Sequence, residues 1–435
     1  MDHTMNAPQT PDRSLIPEAT RAARVQKLMS KNGVEAWLVE DYAVPLVAME
    51  FAFSGGSSQD AAGRMGASTM LAALMDEGAG DLDSEAFHNA MDDKAIEISF
   101  SSDSDTFHGR LKTMTRNVDP AFGLLKLAVN QPRFDADAIE RTRAQMLAGL
   151  RAEANDPDAL AAKAFRELAF EGHPYGRPSR GTQESVVAIT RDDLVHLHKA
   201  VMQRDGLKVA VVGAIDRDSL AILLDDVFGA LPEKTTLAAV PEVTLGNLGT
   251  RKVIDVDVPQ ATIRFGLPGI SLHDPEHVPA MVLNHILGGG VFSARLFKEV
   301  REKRGLAYSV HSQLLSYRHT ASFVGGTSTK NERAAESLSV IEDEIRKLAA
   351  DGPTVDELDK AQKYLIGSYD LRFDTSTKIA GQLVRLQIEN LPASYLDERN
   401  ALVAAVTLEA THKAAKRLFD GKQLLVAVAG RPVGM

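Results

Sequence analysis

Hydrophobic and polar positions alternate over some stretches of the chain and follow a helical period over others. "VEAWLVED" (Val34–Asp41) and "PLVAMEFAFSGG" (Pro45–Gly56) read as two strands, the second with Val47, Met49, Phe51 and Phe53 at every other position. In "RMGASTMLAALMDEGAG" (Arg64–Gly80) the period changes. Ala67, Met70, Leu71, Leu74 and Met75 keep the i, i+3, i+4 rhythm of a buried helical stripe. A second helix is predicted over Ser84–Asp93. A strand follows, in which Ile96, Ile98 and Phe100 alternate with Glu97, Ser99 and Ser101, and Asp105–Thr113 returns as its hairpin partner. Helices over Pro120–Asn130 and Ala136–Ala154, the latter closed by "NDP", lead on to the strand "LKVAVVGAID" (Leu207–Asp216).

The order then begins again. Val44-Pro45 recurs as Val258-Pro259 and Gly55 as Gly269, both 214 residues later. "RAQ" at Arg143–Gln145 recurs as "KAQ" at Lys360–Gln362, and "VAVVG" at Val209–Gly213 as "VAVAG" at Val426–Gly430, both 217 residues later. Four matches in order at a nearly constant offset indicate a duplicated α+β unit: two tandem domains, each a largely antiparallel sheet backed by helices. The expected division is a flexible segment over 1–20, a first domain over 21–230, an Ala- and Pro-containing linker over 231–250 and a second domain over 251–435.

Composition narrows the chemistry. The 435 residues are 44% hydrophobic and 25% charged, as in ordinary globular proteins. With 49 Lys+Arg against 59 Asp+Glu the net charge is −10, which argues against nucleic acid or an anionic membrane as the main partner. The absence of cysteine excludes disulfides, thiolate nucleophiles and Cys-based metal sites. No run approaches the roughly 18 apolar residues of a membrane span. The first twenty residues are polar and lack the apolar centre of a signal peptide. The expected compartment is therefore the cytoplasm, with the periplasm as the alternative if a leader has been removed.

Metal ligands are sparse. His196 and His198 are two apart and diverge on a helix. His273 and His277 are four apart with Pro275 between them at a helix start, and His285 falls near the end of a helix. No H-x-x-E-H or H-E-x-x-H, Walker loop, dinucleotide fingerprint or G-x-S-x-G occurs. Thr69, Ala72 and Ala73 form a helix face at metal-ligand spacing that carries only small side chains.

"ILGGGVFSARLFKEVREKRGLAYSV" (Ile286–Val310) carries more. Gly288, Gly289 and Gly290 suit a tight turn or the close approach of a bound peptide backbone. A helix follows with Leu296, Phe297 and Val300 on its apolar side and Arg295, Lys298, Arg301 and Arg304 elsewhere, then a strand with Tyr308. Two readings are open: a solvated basic helix face beside a strand tyrosine, or Arg301 and Tyr308 converging to hold a peptide carbonyl or a developing oxyanion.

From about Val34 to Gly430, duplication included, the chain resembles the M16 family of pitrilysin- or insulinase-like zinc peptidases in its short bacterial form. "LGGGVFSARLFKEVREKRGLAYSV" is similar to the family's C-terminal signature, and "FEGHPYGRP" (Phe170–Pro178) to a second family segment. The resemblance implies that Arg301 and Tyr308 bind and polarise substrate, with Gly288–Gly290 on the substrate backbone. Active members carry H-x-x-E-H on the helix corresponding to "GASTMLAALMDEG". Thr69 and Ala73 then stand at the two His positions, Ala72 at the Glu, and Gly149, eight residues before Pro157, at the third ligand. None of the four can serve. The expectation is a chain that binds no cofactor itself and is inactive alone. It would form a heterodimer with an H-x-x-E-H homologue that holds Zn²⁺, and act on a peptide or unfolded polypeptide. The alternatives are a structural or peptide-binding subunit that takes part in no hydrolysis, and a remodelled metal site at His273 and His277.

Overall fold

A computed structural model describes residues 24–435; the expected flexible segment over 1–20 lies outside them. Strands β1 (Gln26–Met29), β2 (Glu35–Glu40), β3 (Leu46–Ser54), β4 (Glu97–Ser102), β5 (Thr106–Met114) and β6 (Lys208–Gly213) form one sheet, in the order β1-β2-β6-β3-β5-β4. Strands β7 (Arg251–Ile254), β8 (Gln260–Pro268), β9 (Ala307–Tyr317), β10 (Thr320–Lys330) and β11 (Leu425–Ala429) form a second, in the order β7-β11-β8-β10-β9. The two orders coincide if β1 is set aside. Each sheet is mixed: β2 runs parallel to β6 and β7 to β11, and the remaining pairs are antiparallel. The fold is α+β, with both sheets backed by helices.

The alternating residues of β3 do what their period requires. Val47, Met49, Phe51 and Phe53 point to one face, where they are fully buried with Met70, Leu71 and Phe228. The corresponding face of the second sheet buries Ile263, Phe265, Leu267 and Phe323.

The opposite faces are closed by exchange. Helix Ser376–Ile388, from the second half of the chain, lies on β3 and β6 of the first sheet. Its Ile379, Ala380 and Leu383 pack with Trp37, Val39, Ala52, Ala210 and Val212, and Gln387 Nε2 donates to the Val209 carbonyl at 2.9 Å. Reciprocally, helix Pro157–Ala169, from the first half, lies on β8 and β11 of the second sheet. Gly266 has no side chain to obstruct it: a Cβ there would come within 2.7 Å of the Phe165 ring. Arg264 Nη2 reaches both Asp158 oxygens, at 2.6 and 2.7 Å. Leu383 is completely buried in this exchange, so Leu383→Ala is expected to cost about 2–5 kcal/mol in urea unfolding.

Residues 231–250 contain no helix or strand, yet they are held by both halves. Val243 N donates to the His319 carbonyl and Gly246 N to the Ala169 carbonyl, while Leu245 is buried. The "FEGHPYGRP" segment supplies a further tie. Tyr175 Oη donates to the Asp105 carboxylate at 2.6–2.7 Å and accepts from His319 N, and Asp105 also accepts from Arg318 N. Burial and this carboxylate push the Tyr175 phenol well above its ordinary range.

Candidate functional site

Helix His277–Asn284 widens into a π-helical turn, His285–Gly289. A second such turn, Phe297–Glu302, precedes β9, the end strand of its sheet. Inserted π turns of this kind are frequent at functional sites. Where a tight turn is one of the two expectations for the glycine run, the chain forms a widened helical turn. Gly288 and Gly289 complete the widened turn, and the close approach is to the chain's own strand. A Cβ on Gly288 would lie 2.5 Å from Ser312 Oγ and 2.7 Å from Ser312 N. Only Gly289 of the three is exposed. Gly288→Ala is expected to lower stability by about 1–3 kcal/mol through overpacking. Gly289→Ala, whose nearest contact is the movable end of the Asn284 side chain with that residue's carbonyl at 3.2 Å, should cost less; thermal melts of the two variants check this.

Arg301 and Tyr308 are brought together. The Arg301 guanidinium carbon lies 4.4 Å from the Tyr308 ring centroid and 4.8 Å from that of Phe297. Phe292 packs edge-on against Phe297. The neighbouring cations are engaged elsewhere: Arg295 with both Glu357 oxygens at 2.7 Å, Arg304 and Lys303 with Glu299. The Arg301 side chain makes no hydrogen bond or ion pair among the described residues; the aromatic faces position it and leave its guanidinium donors unclaimed. Tyr308 is 80% exposed, and its phenol faces the same cavity of ≈ 500 Å³, with Gly289, Ser309 and Gln313 on other walls. Phe297 was legible only as part of an apolar helix side. Its i, i+4 spacing to Arg301 is the signal that marks it as the platform beneath the cation.

Two of the four positions that the resemblance assigns to the metal motif, Thr69 and Gly149, meet the segment Ser179–Arg180. Thr69 Oγ1 donates to the Ser179 carbonyl at 3.0 Å; Ala72 is buried and Ala73 exposed. A Cβ on Gly149 would stand 3.6 Å from Arg180 Nη2, and Arg180 is paired with Glu153. A guanidinium therefore adjoins the position from which a third ligand would reach. Thr, Ala, Ala and Gly supply no set of metal donors, and the neighbouring cation opposes one, so the residues present do not fit zinc.

Among the described residues no three or more His, Asp or Glu are arranged to hold a metal ion. His277 Nδ1 faces the Ile270 carbonyl, and the buried His285 stacks on Tyr364 with ring centroids 4.9 Å apart. His198 faces the Val129 carbonyl. Burial holds all three imidazoles below the ordinary histidine range.

Comparison with known proteins agrees with this geometry. Residues 188–365 match the family description "Peptidase M16 inactive domain". A relative described as the non-peptidase homolog YmxG of Helicobacter pylori is 29% identical over 340 residues, covering 77% of this chain and 78% of that one. An uncharacterized zinc protease of Mycobacterium leprae is 29% identical over 319 residues, 72% of this chain and 71% of its own. The crystal structure of a peptidase M16 inactive domain from Pseudomonas fluorescens superposes with a TM-score of 0.88 at 28% identity, covering 94% of this chain and 98% of that chain. Residues 188–365 thus resemble an M16 inactive domain, and over most of its length the chain is similar to proteins of that kind at 28–29% identity.

Proposed function

We propose that this chain is the non-metal subunit of a two-chain M16 endopeptidase, whose zinc is held by an H-x-x-E-H homologue. The observation that carries the reading is the contrast between the two ends of the fold. The four metal-motif positions are Thr69, Ala72, Ala73 and Gly149, whereas Arg301 and Tyr308 remain stacked at an open cavity with their donors free. A cation and a phenol fixed side by side suit a peptide carbonyl: in a water-poor chamber, preorganised donors stabilise charge that develops on oxygen. Gly289 and the outer edge of β9 offer backbone groups against which an extended peptide lies. On this reading the metal and the charge-stabilising groups reside on different chains, so hydrolysis depends on assembly.

The test is zinc-dependent cleavage of an unstructured peptide by this chain alone, by the homologue alone and by the two mixed. Activity that appears or rises strongly only on mixing supports the divided site. A mixture no better than the homologue alone overturns it and leaves a structural or peptide-binding subunit.

A further inference from the structure

Helix Pro157–Ala169 covers β8 and β11 but stops short of the outer strands, and a cavity of ≈ 230 Å³ remains between it and β8, β9 and β10. Two guanidinium groups line this space. Arg264 gives Nη2 to Asp158, while its Nε is sealed from solvent without a partner. The Arg166 side chain makes no hydrogen bond or ion pair among the described residues, and its Nε is likewise buried and unpartnered. Ser322, 1% exposed, presents a third orphaned polar atom, its Oγ, on the same wall.

Buried donors left unmade are expensive, the more so when charged. Three in one cavity call for an acceptor, and no acidic side chain among the described residues provides it. Asp158 is taken by Arg264 and Glu153 by Arg180; Glu167 lies 3.9 Å from Lys163; Asp103 binds Thr106 and His108, and Asp105 binds Tyr175. Burial and the nearby Arg264 hold the His311 imidazole below its ordinary range. Phe165, Phe170, Leu315 and Val324 give the lining an apolar part, beside the polar Ser104, Gln313 and Tyr317. The volume is below the roughly 300–1,000 Å³ of pockets for drug-sized ligands, which suits a body about the size of one amino-acid residue.

We propose that this cavity binds a small monocarboxylate with an apolar body, its carboxylate received by Arg166 and Arg264 Nε and assisted by Ser322 Oγ. Two sources share that chemistry: the C-terminal apolar residue of a peptide, and a free small carboxylic acid. The cavity shares His311 and Gln313 with the Arg301–Tyr308 cavity, so a peptide lying along β9 reaches both. The assignment stands independently of any hydrolysis.

Calorimetric titration of the full chain with N-acetyl-L-leucine, its amide, and a leucine-terminated tetrapeptide as acid and as amide tests it. The acids are expected to bind, and both the amides and the Arg166→Met variant to lose about 10- to 100-fold, the value of a charge-assisted hydrogen bond. Ser322→Ala should lose a few-fold. Arg166→Met removes an unpaired buried charge, so its melting temperature should hold or rise, which separates lost binding from lost folding. A tetrapeptide acid that binds more tightly than N-acetyl-L-leucine identifies a peptide terminus; the reverse identifies a free acid. No saturable binding by either acid, equal binding of acid and amide, or full affinity in folded Arg166→Met overturns the proposal.

Discussion

Arg301→Ala is expected to remove most of the cleavage gained when this chain is mixed with its H-x-x-E-H homologue, by about 10²–10³ in kcat. That is the usual cost of losing one donor to a developing oxyanion. The guanidinium carries no structural hydrogen bond that its removal would break. Its contribution to folding is limited to stacking on Phe297 and Tyr308, worth about 0.5–1 kcal/mol at an exposed site. A large kinetic loss with a small change in melting temperature therefore marks a functional role. Tyr308→Phe separates the parts of the pair, because it keeps the ring under the cation and deletes only the hydroxyl. Arg301→Lys keeps the charge and loses the planar fork, so it should rescue little. If all three variants support cleavage as well as the parent chain, the pair is an inherited feature of the fold without chemistry.

The second large effect runs the other way. Thr69→His, Ala73→His and Gly149→Glu together are expected to give a chain that retains about one zinc ion after dialysis, where the parent retains none at these positions. Positions 69 and 73 are i and i+4 on one helix, and Gly149 lies across the Ser179–Arg180 segment from them. Arg180 works against the design, since its guanidinium adjoins the position from which Gly149→Glu would reach. Adding Arg180→Ala should tighten zinc binding by at least about tenfold, for a carboxylate paired with a cation is a poorer metal ligand. Metal analysis of the folded variants reads this directly. Failure to retain zinc, with Arg180 present or absent, would mean that the helices have moved apart since the ligands were lost.

Most of the architecture was legible because it rests on local periods. Alternation in β3 and the "VAVVG"/"VAVAG" strands revealed the sheets and their duplication, and the stripe from Ala67 to Met75 revealed the helix that faces them. What could not be read was which surface covers which. The apolar residues of Ser376–Ile388 declare a buried face, but nothing in their spacing says that they are buried against Trp37 and Val212 of the other half. Arg166 was invisible for the same reason. On a helix diagram it is one more polar position, and only the tertiary arrangement turns it toward β9 and β10 without a partner. The glycine run misled in a different way. Three glycines fit a tight turn and a widened helical turn equally well, and what decides between them is the approach to Ser312, 22 residues beyond Gly290.

The helix exchange also sets a timetable for synthesis. The first sheet is complete once β6 has been made, but its Trp37–Val212 face waits for helix Ser376–Ile388, about 175 residues further along. At the ~5–20 residues per second of translation, an apolar sheet surface stays uncovered on the ribosome for roughly 10–35 s. The N-terminal half thus carries an uncovered apolar face through that interval. Messages truncated between the halves would yield sticky fragments rather than a free-standing domain.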